Sequence, residues 1–196
     1  MIPPDPIERF REIFERAEKI DRSIMPEPNA MSLATVENGK QPSVRIVLLK
    51  AFDERGFVFY TNFEGRKGRQ LLAQPRAALC FFWPFLDTQV RVEGSVTKVS
   101  DEEADDYFAS RARLSQIGAW ASKQSRPLEA PSALDQRVAE YEKKFEGKPV
   151  PRPAFWSGFR VAPERIEFWK GKPNRLHERH LYTRKADGWR IETLYP

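Results

Sequence analysis

With one cysteine and two histidines among its 196 residues, the chain has few of the side chains on which several kinds of chemistry depend. Cys80 has no partner for an internal disulfide, and its setting in Ala-Ala-Leu-Cys-Phe-Phe suits a buried, inert thiol better than a nucleophile. A dedicated zinc site has no ligand set to draw on, so no metal is expected. A serine triad would need His177 or His180 as base, and no nucleophile elbow accompanies them. Neither a Gly-x-Gly-x-x-Gly fingerprint nor a Walker-type loop is present. No apolar run approaches the roughly 20 residues that span a bilayer. Met1-Ile-Pro-Pro-Asp-Pro also lacks the basic and apolar regions of a signal peptide, which sets the expectation of a cytoplasmic protein without a membrane partner.

Hydrophobic residues make up 40% and charged residues 31%, the balance of an ordinary globular chain that can bury a proper core. The net charge of +5 points to anionic partners. The basic residues are spread along the chain among acids, with no dense tract and no nucleic-acid motif, so nucleic acid is not the expected partner. Small phosphorylated ligands explain a few well-placed arginines equally well.

The pattern predicts a single domain over 1–196, in which 1–28 form a helix and linker. Asp5-Pro6 reads as a helix start, and Ile7, Phe10, Ile13, Phe14, Ala17 and Ile20 follow helical spacing. Strands are predicted over Met31–Glu37 and Ser43–Phe52 around Asn38-Gly39, then over Phe57–Thr61. A short helix over Arg66–Ala73 precedes strands at Ala77–Trp83 and Gln89–Val99. Ser100-Asp-Glu-Glu103 is a capping box opening a helix, and Ser132–Phe145 forms another, ended by Gly147. Phe159–Val161, Arg165–Trp169 and a hairpin across Asp187-Gly188 complete about eight strands and three or four helices. The short turns favour antiparallel pairing, and a mainly β, partly closed antiparallel barrel with peripheral helices is the economical fold.

Four places could carry chemistry, each with an ordinary structural reading beside it. Arg45-Ile-Val-Leu-Leu-Lys50 has cations at both ends of an apolar run, which a plain strand with solvated ends would also have. At Tyr60-Thr61-Asn62 a strand runs towards Arg66-Lys67, where backbone N–H groups and two cations can hold a phosphate, or where charges are simply solvated at a helix start. Spacing of four puts Tyr107 and Arg111 on one helix face, with Ser115 a turn on if the helix persists. These are donors suited to a phosphate dianion, or a mixed polar face. Arg175, His177 and Arg179 share one side if their segment is extended, as an anion site or as the end of a strand.

Together these segments resemble the pyridoxamine 5′-phosphate oxidase family, from about residue 29 to the end. The similarity rests on Arg45–Lys50, Phe59-Tyr-Thr-Asn62, Ser115-Gln-Ile-Gly-Ala-Trp120 with Ser122-Lys-Gln-Ser125, Phe155-Trp-Ser-Gly-Phe-Arg160, Ile166-Glu-Phe-Trp169 and Arg175-Leu-His-Glu-Arg179. The resemblance implies an FMN-binding split barrel, working as a homodimer with two FMN sites at the subunit interface. By matching positions it implies FMN contacts from Arg45, Ile46, Val47, Leu48, Leu49, Lys50, Tyr60, Thr61, Arg66, Lys67, Gln89, Gln124, Ser125, Trp169 and Arg179. It implies substrate contacts from Lys50, Tyr107, Arg111, Ser115, Arg175 and His177, the last two orienting the ring and serving as the catalytic pair. The implied reaction oxidises the 4′-carbon of a phosphorylated pyridine substrate, with oxygen reoxidising the flavin to give hydrogen peroxide.

Departures stand beside the resemblance. Family members often have a longer amino-terminal segment with an arginine and a tyrosine that can cover the substrate, and this chain starts too late to show it. Thr88 and Thr193 stand where arginine is common, and His180 where an aromatic is common. One rival reading is a flavin oxidase of a different ring, like the phenazine-pathway relatives, but it has no need of a Tyr107, Arg111 and Ser115 cradle. Another is a carrier or sensor without catalysis, against which Arg175 and His177 weigh.

Overall fold

The computed structural model describes residues 2–196. Helix α1 (Pro6–Glu18) starts where Asp5 accepts a hydrogen bond from the Ile7 backbone N–H and proline occupies the first helical position. Its buried residues include Phe10, which lies 4.9 Å, centroid to centroid, from each of Phe52, Phe57 and Phe81. This one ring anchors the helix across the barrel core.

Among the described residues nine strands form one sheet: β1 (Ala30–Glu37), β2 (Gln41–Leu48), β3 (Ala51–Asp53), β4 (Gly56–Asn62), β5 (Arg76–Trp83), β6 (Thr88–Lys98), β7 (Trp156–Lys170), β8 (Glu178–Lys185) and β9 (Gly188–Leu194). All pairings are antiparallel, in the order β2-β1-β5-β6-β7-β4-β3, with β8 and β9 branching from β7. Among the described residues five helices surround the sheet: α1, α2 (Arg66–Ala73), α3 (Asp101–Ser110), α4 (Arg113–Ala121) and α5 (Ala133–Lys144). The expected mainly β architecture with peripheral helices is what the chain adopts.

Two of the expected strand boundaries are corrected, each for a physical reason. The strand expected over Ser43–Phe52 is two strands, because the backbone changes partner at Leu49 and Lys50. Leu49 N–H donates to Asn29 O, and Lys50 N–H to Val58 O. Conversely, the two strands expected at Phe159–Val161 and Arg165–Trp169 are one, β7, running straight through Pro163. Proline cannot donate to a ladder, and here it sits opposite Gly94 at a register shift in β6. A Cβ on Gly94 would come within 1.9 Å of Ala162 O, so only glycine permits that approach. On either side of this bulge β7 serves different neighbours: β4 pairs with its first half and β8 with its second.

A second apolar cluster, Phe108, Ile117, Phe145, Val150 and Trp156, packs α3, α4 and α5 onto the start of β7. It brings the α3–α4 junction over the end of β4.

Candidate active site

At that junction lies a cavity of about 450 Å³ lined by Val47, Leu48, Lys50, Tyr60, Thr61, Lys67, Tyr107, Arg111, Ala112, Ser115, Gln124 and Trp156. Its wall is a stack of rings. Tyr60 lies 4.0 Å from Tyr107 and 5.5 Å from Trp156, both nearly parallel, and the Arg111 guanidinium sits 4.6 Å above the Trp156 ring. The Nη1 of Arg111 is buried without a hydrogen-bond partner. Burial pulls the Arg111 pKa below its ordinary value. A charged donor held dry and unpartnered is costly unless an anion completes it.

Tyr107, Arg111 and Ser115 do not share one helix face, which corrects the spacing argument. Helix α3 stops at Ser110, and Arg111 is extended (ψ 147°) before α4 begins. The stop is made by side chains: Ser110 Oγ donates back to Tyr107 O at 2.8 Å, and Gln116 Nε2 donates to Phe108 O at 2.9 Å. All three residues nevertheless line the cavity.

In the same cavity Lys67 Nζ donates to Thr61 Oγ1 at 3.1 Å and to Gln124 Oε1 at 2.9 Å. Behind it Arg45 donates to Leu33 O, Thr35 Oγ1, Ser43 Oγ and Gln70 Oε1. Lys67 titrates below the ordinary lysine value, through burial first and the Arg45 charge second. Among the described residues neither cation has a carboxylate partner, so this region too is poised for an anion. The loop is tight as well, since a Cβ on Gly65 would meet Gln124 Oε1 at 2.4 Å. Arg66 turns elsewhere and pairs with Glu37 at 2.6 Å, while its backbone N–H donates to Ser125 Oγ. Ile46 points outward and Leu49 into the core.

Gln89, Trp169, Arg175, His177 and Arg179 form a second group that does not line this cavity. Gln89 pairs with Trp169 across β6–β7, and Trp169 with Arg179 across β7–β8. The His177 ring lies 4.6 Å from Trp169, and its Nδ1 accepts from Lys172 N–H at 3.2 Å. That acceptor role leaves the proton of the neutral ring on Nε2. The expected extended segment is instead a 3₁₀ turn at Pro173–Arg175, with Asn174 and Arg175 both left-handed (φ 58° and 61°) and β8 starting only at Glu178. Arg175 is exposed. Residue types and spacing gave no signal for Trp156 or Ala112 as lining residues, because a ring's stacking partners come from tertiary structure.

A larger groove of about 860 Å³ between α4 and α5 has no comparable set of buried donors. No helix among the described residues is long and apolar enough to cross a membrane.

The nine-stranded antiparallel barrel with its outer helices is a split barrel, the fold class seen in FMN-binding proteins. A solved structure of a pyridoxamine 5′-phosphate oxidase-related, FMN-binding protein from Nostoc punctiforme has the same fold, with a TM-score of 0.73 at 18% identity over 96% of each chain. Residues 18–145 match the family profile described as pyridoxamine 5′-phosphate oxidase, and 156–196 match the pyridoxine 5′-phosphate oxidase C-terminal dimerisation region. The pyridoxine/pyridoxamine 5′-phosphate oxidase of Myxococcus xanthus is 61% identical over 196 residues, covering 100% of this chain and 94% of that protein. The protein of the same name from Rubrobacter xylanophilus is 58% identical over 193 residues, covering 98% and 88%. The structure of PhzG from Burkholderia lata in complex with tetrahydrophenazine-1-carboxylic acid superposes with a TM-score of 0.89 at 28% identity, covering 100% of this chain and 94% of that one. The chain belongs to the pyridoxamine 5′-phosphate oxidase family and is an oxidoreductase.

Proposed function

We propose that this enzyme uses FMN to oxidise pyridoxamine 5′-phosphate or pyridoxine 5′-phosphate to pyridoxal 5′-phosphate. Oxygen is the final acceptor and hydrogen peroxide a product; for the amine, water hydrolyses the oxidised C–N bond and ammonia is released. The observation that carries this reading is the buried, unpartnered Arg111 Nη1 over Trp156, in one cavity with Tyr107, Ser115 and Lys50. A substrate phosphate dianion supplies the charge that this guanidinium lacks.

Lys67 and Arg45, half-buried cations without a carboxylate partner, fit the terminal phosphate of FMN, and Thr61, Gln124 and the Gly65 turn shape that place. Arg66 is partly engaged, with its Nε and Nη2 donating to Glu37. Bound FMN supplies a hydride acceptor for the substrate's 4′-carbon and a route for the electrons to oxygen. The protein's part is placement. Arg111, Tyr107, Ser115 and Lys50 fix the phosphate and so the ring's distance from the cofactor. Arg175 and the Nε2–H of His177 orient the ring. The second group lies, apart from Gln89, within the stretch that matches a dimerisation region. We therefore assign it to a homodimer in which each site joins the cavity of one protomer to the 169–179 group of its partner.

The test is a flavin spectrum on the purified protein and a peroxide assay with pyridoxamine 5′-phosphate and with pyridoxamine. Strong preference for the phosphorylated compound is expected. The likeness to PhzG supports a second reading, oxidation of a ring without phosphate, and equal turnover of the two compounds would favour it.

A further inference from the structure

Glu167 is a carboxylate near the end of β7 that the reading above does not use. It is 6% exposed, yet charged groups meet it on two sides. Its Oε1 accepts from Arg179 Nε at 2.8 Å, and its Oε2 accepts from Arg91 Nη2. Burial alone would raise its pKa, but the hydrogen bonds from Arg179 and Arg91 outweigh that and hold it ionised.

Such an arrangement is a poor way to stabilise a sheet. A buried ion pair seldom repays its desolvation better than apolar side chains of the same volume, whereas it does fix geometry. Here the geometry fixed is that of Arg179. A guanidinium has five N–H donors in a rigid fork. The Nε donor of Arg179 goes to Glu167, and Nη1 donates to Tyr195 O at 2.9 Å. Among the described residues Nη2 has no partner, and the guanidinium is held at two points of its plane. The three groups Arg91, Glu167 and Arg179 together keep one net positive charge. Arg179 stands in register with Trp169, which shares a strand face with Glu167 two residues away.

We propose that Glu167 is the positioning residue that aims the free Nη2 edge of Arg179 at the cofactor. The proposal rests on the reading that Arg179 contacts FMN. Glu167 itself touches no ligand, and the backbone carbonyl of Tyr195 is the second anchor.

The experiment titrates FMN into the apoprotein of the whole chain and follows flavin fluorescence. Proteins compared are wild type, Glu167→Gln, Glu167→Asp, Arg179→Ala and the Glu167→Gln/Arg179→Ala double variant, with sedimentation reporting the oligomeric state of each. Loss of the charged anchor is expected to weaken FMN binding roughly tenfold in Glu167→Gln. Arg179→Ala should lose at least as much, and the double variant no more than Arg179→Ala alone, because Glu167 acts through that arginine. Glu167→Asp keeps the ionised pair, and should fold even where the glutamine variant does not. It draws the oxygens back by one methylene and should cost about threefold. Wild-type affinity in Glu167→Asp and Glu167→Gln alongside weak binding in Arg179→Ala would overturn the proposal alone. So would losses that multiply in the double variant. Unchanged affinity in Arg179→Ala would remove the underlying reading of Arg179, and the proposal with it.

Discussion

Arg111 and Lys67 are both half-buried cations, but they ask different things of a ligand. The Arg111 Nη1 has no partner at all, so its replacement by alanine should act on substrate affinity. The phosphate is remote from the reacting carbon and its contacts hold ground and transition states alike. We expect Arg111→Ala to raise KM for pyridoxamine 5′-phosphate about tenfold or more with kcat little changed. Lysine should not rescue it, because a point charge replaces a planar fork. Steady-state kinetics on the three proteins decide this, and a fall in kcat at unchanged KM would count against the cradle. Lys67→Ala should weaken FMN binding about tenfold, on the order of 1.4 kcal/mol. Arg66→Ala should cost less, since its guanidinium is engaged with Glu37. A pH dependence follows with a definite sign. Lys67 in the free protein titrates below an ordinary lysine, and an anion prefers the charged form. FMN affinity should therefore fall as pH rises through that depressed pKa, and Lys67→Arg should abolish the fall. An alkaline loss identical in Lys67→Arg would exclude Lys67 as its source.

Among the elements, those set by local chemistry were legible in the sequence. Helix α2 runs over Arg66–Ala73 as its pattern predicts, the Ser100–Glu103 capping box forms both of its hydrogen bonds, and the last hairpin turns between Lys185 and Gly188. What escaped the pattern depends on partners distant in sequence or on side chains closing over backbone. The end of α3 is made by Gln116 and Ser110, the break after β2 by a change of strand partner, and the continuity of β7 by Gly94. Site residues were nameable because their segments resemble a family. Their separation into two groups was not, because no spacing reports which residues share a cavity. Two predictions belong at this scale. Gly94→Ala drives a methyl into the Ala162 carbonyl, and should destabilise the protein by about 3 kcal/mol or more. Thermal melts at fixed protein concentration should show a drop on the order of 10 °C. Arg175→Ala, in a turn where the side chain is exposed, should leave the melt unchanged and the flavin bound. It should lower kcat/KM by roughly 10²-fold, about 2.7 kcal/mol, through loss of ring alignment. Near-wild-type turnover per bound flavin would end that assignment.

At the scale of the whole molecule, the two groups of site residues gather at opposite ends of one strand, β7. Trp156 opens β7 in the cavity, and Trp169 closes it beside His177. If each site draws one group from each protomer, damage to the two groups can be sorted onto different subunits. Mixing Arg111→Ala with Arg175→Ala protein under subunit exchange should then restore activity. Half the dimers become hybrids with one intact site, so about a quarter of wild-type kcat/KM is expected. No recovery in hybrids shown to form would place both groups in a single protomer's site. The position of β7 also governs events on the ribosome. Phe57 in β4 has to wait for Val161, and Val90 in β6 for Phe168, so two apolar strands emerge long before the strand that joins them. Until then their edges are open to any passing chain, the condition under which nascent sheets aggregate. A slow stretch of translation just ahead of residue 156 should therefore lower the yield of soluble protein, while the same pause placed ahead of residue 57, before either apolar strand is made, should be harmless.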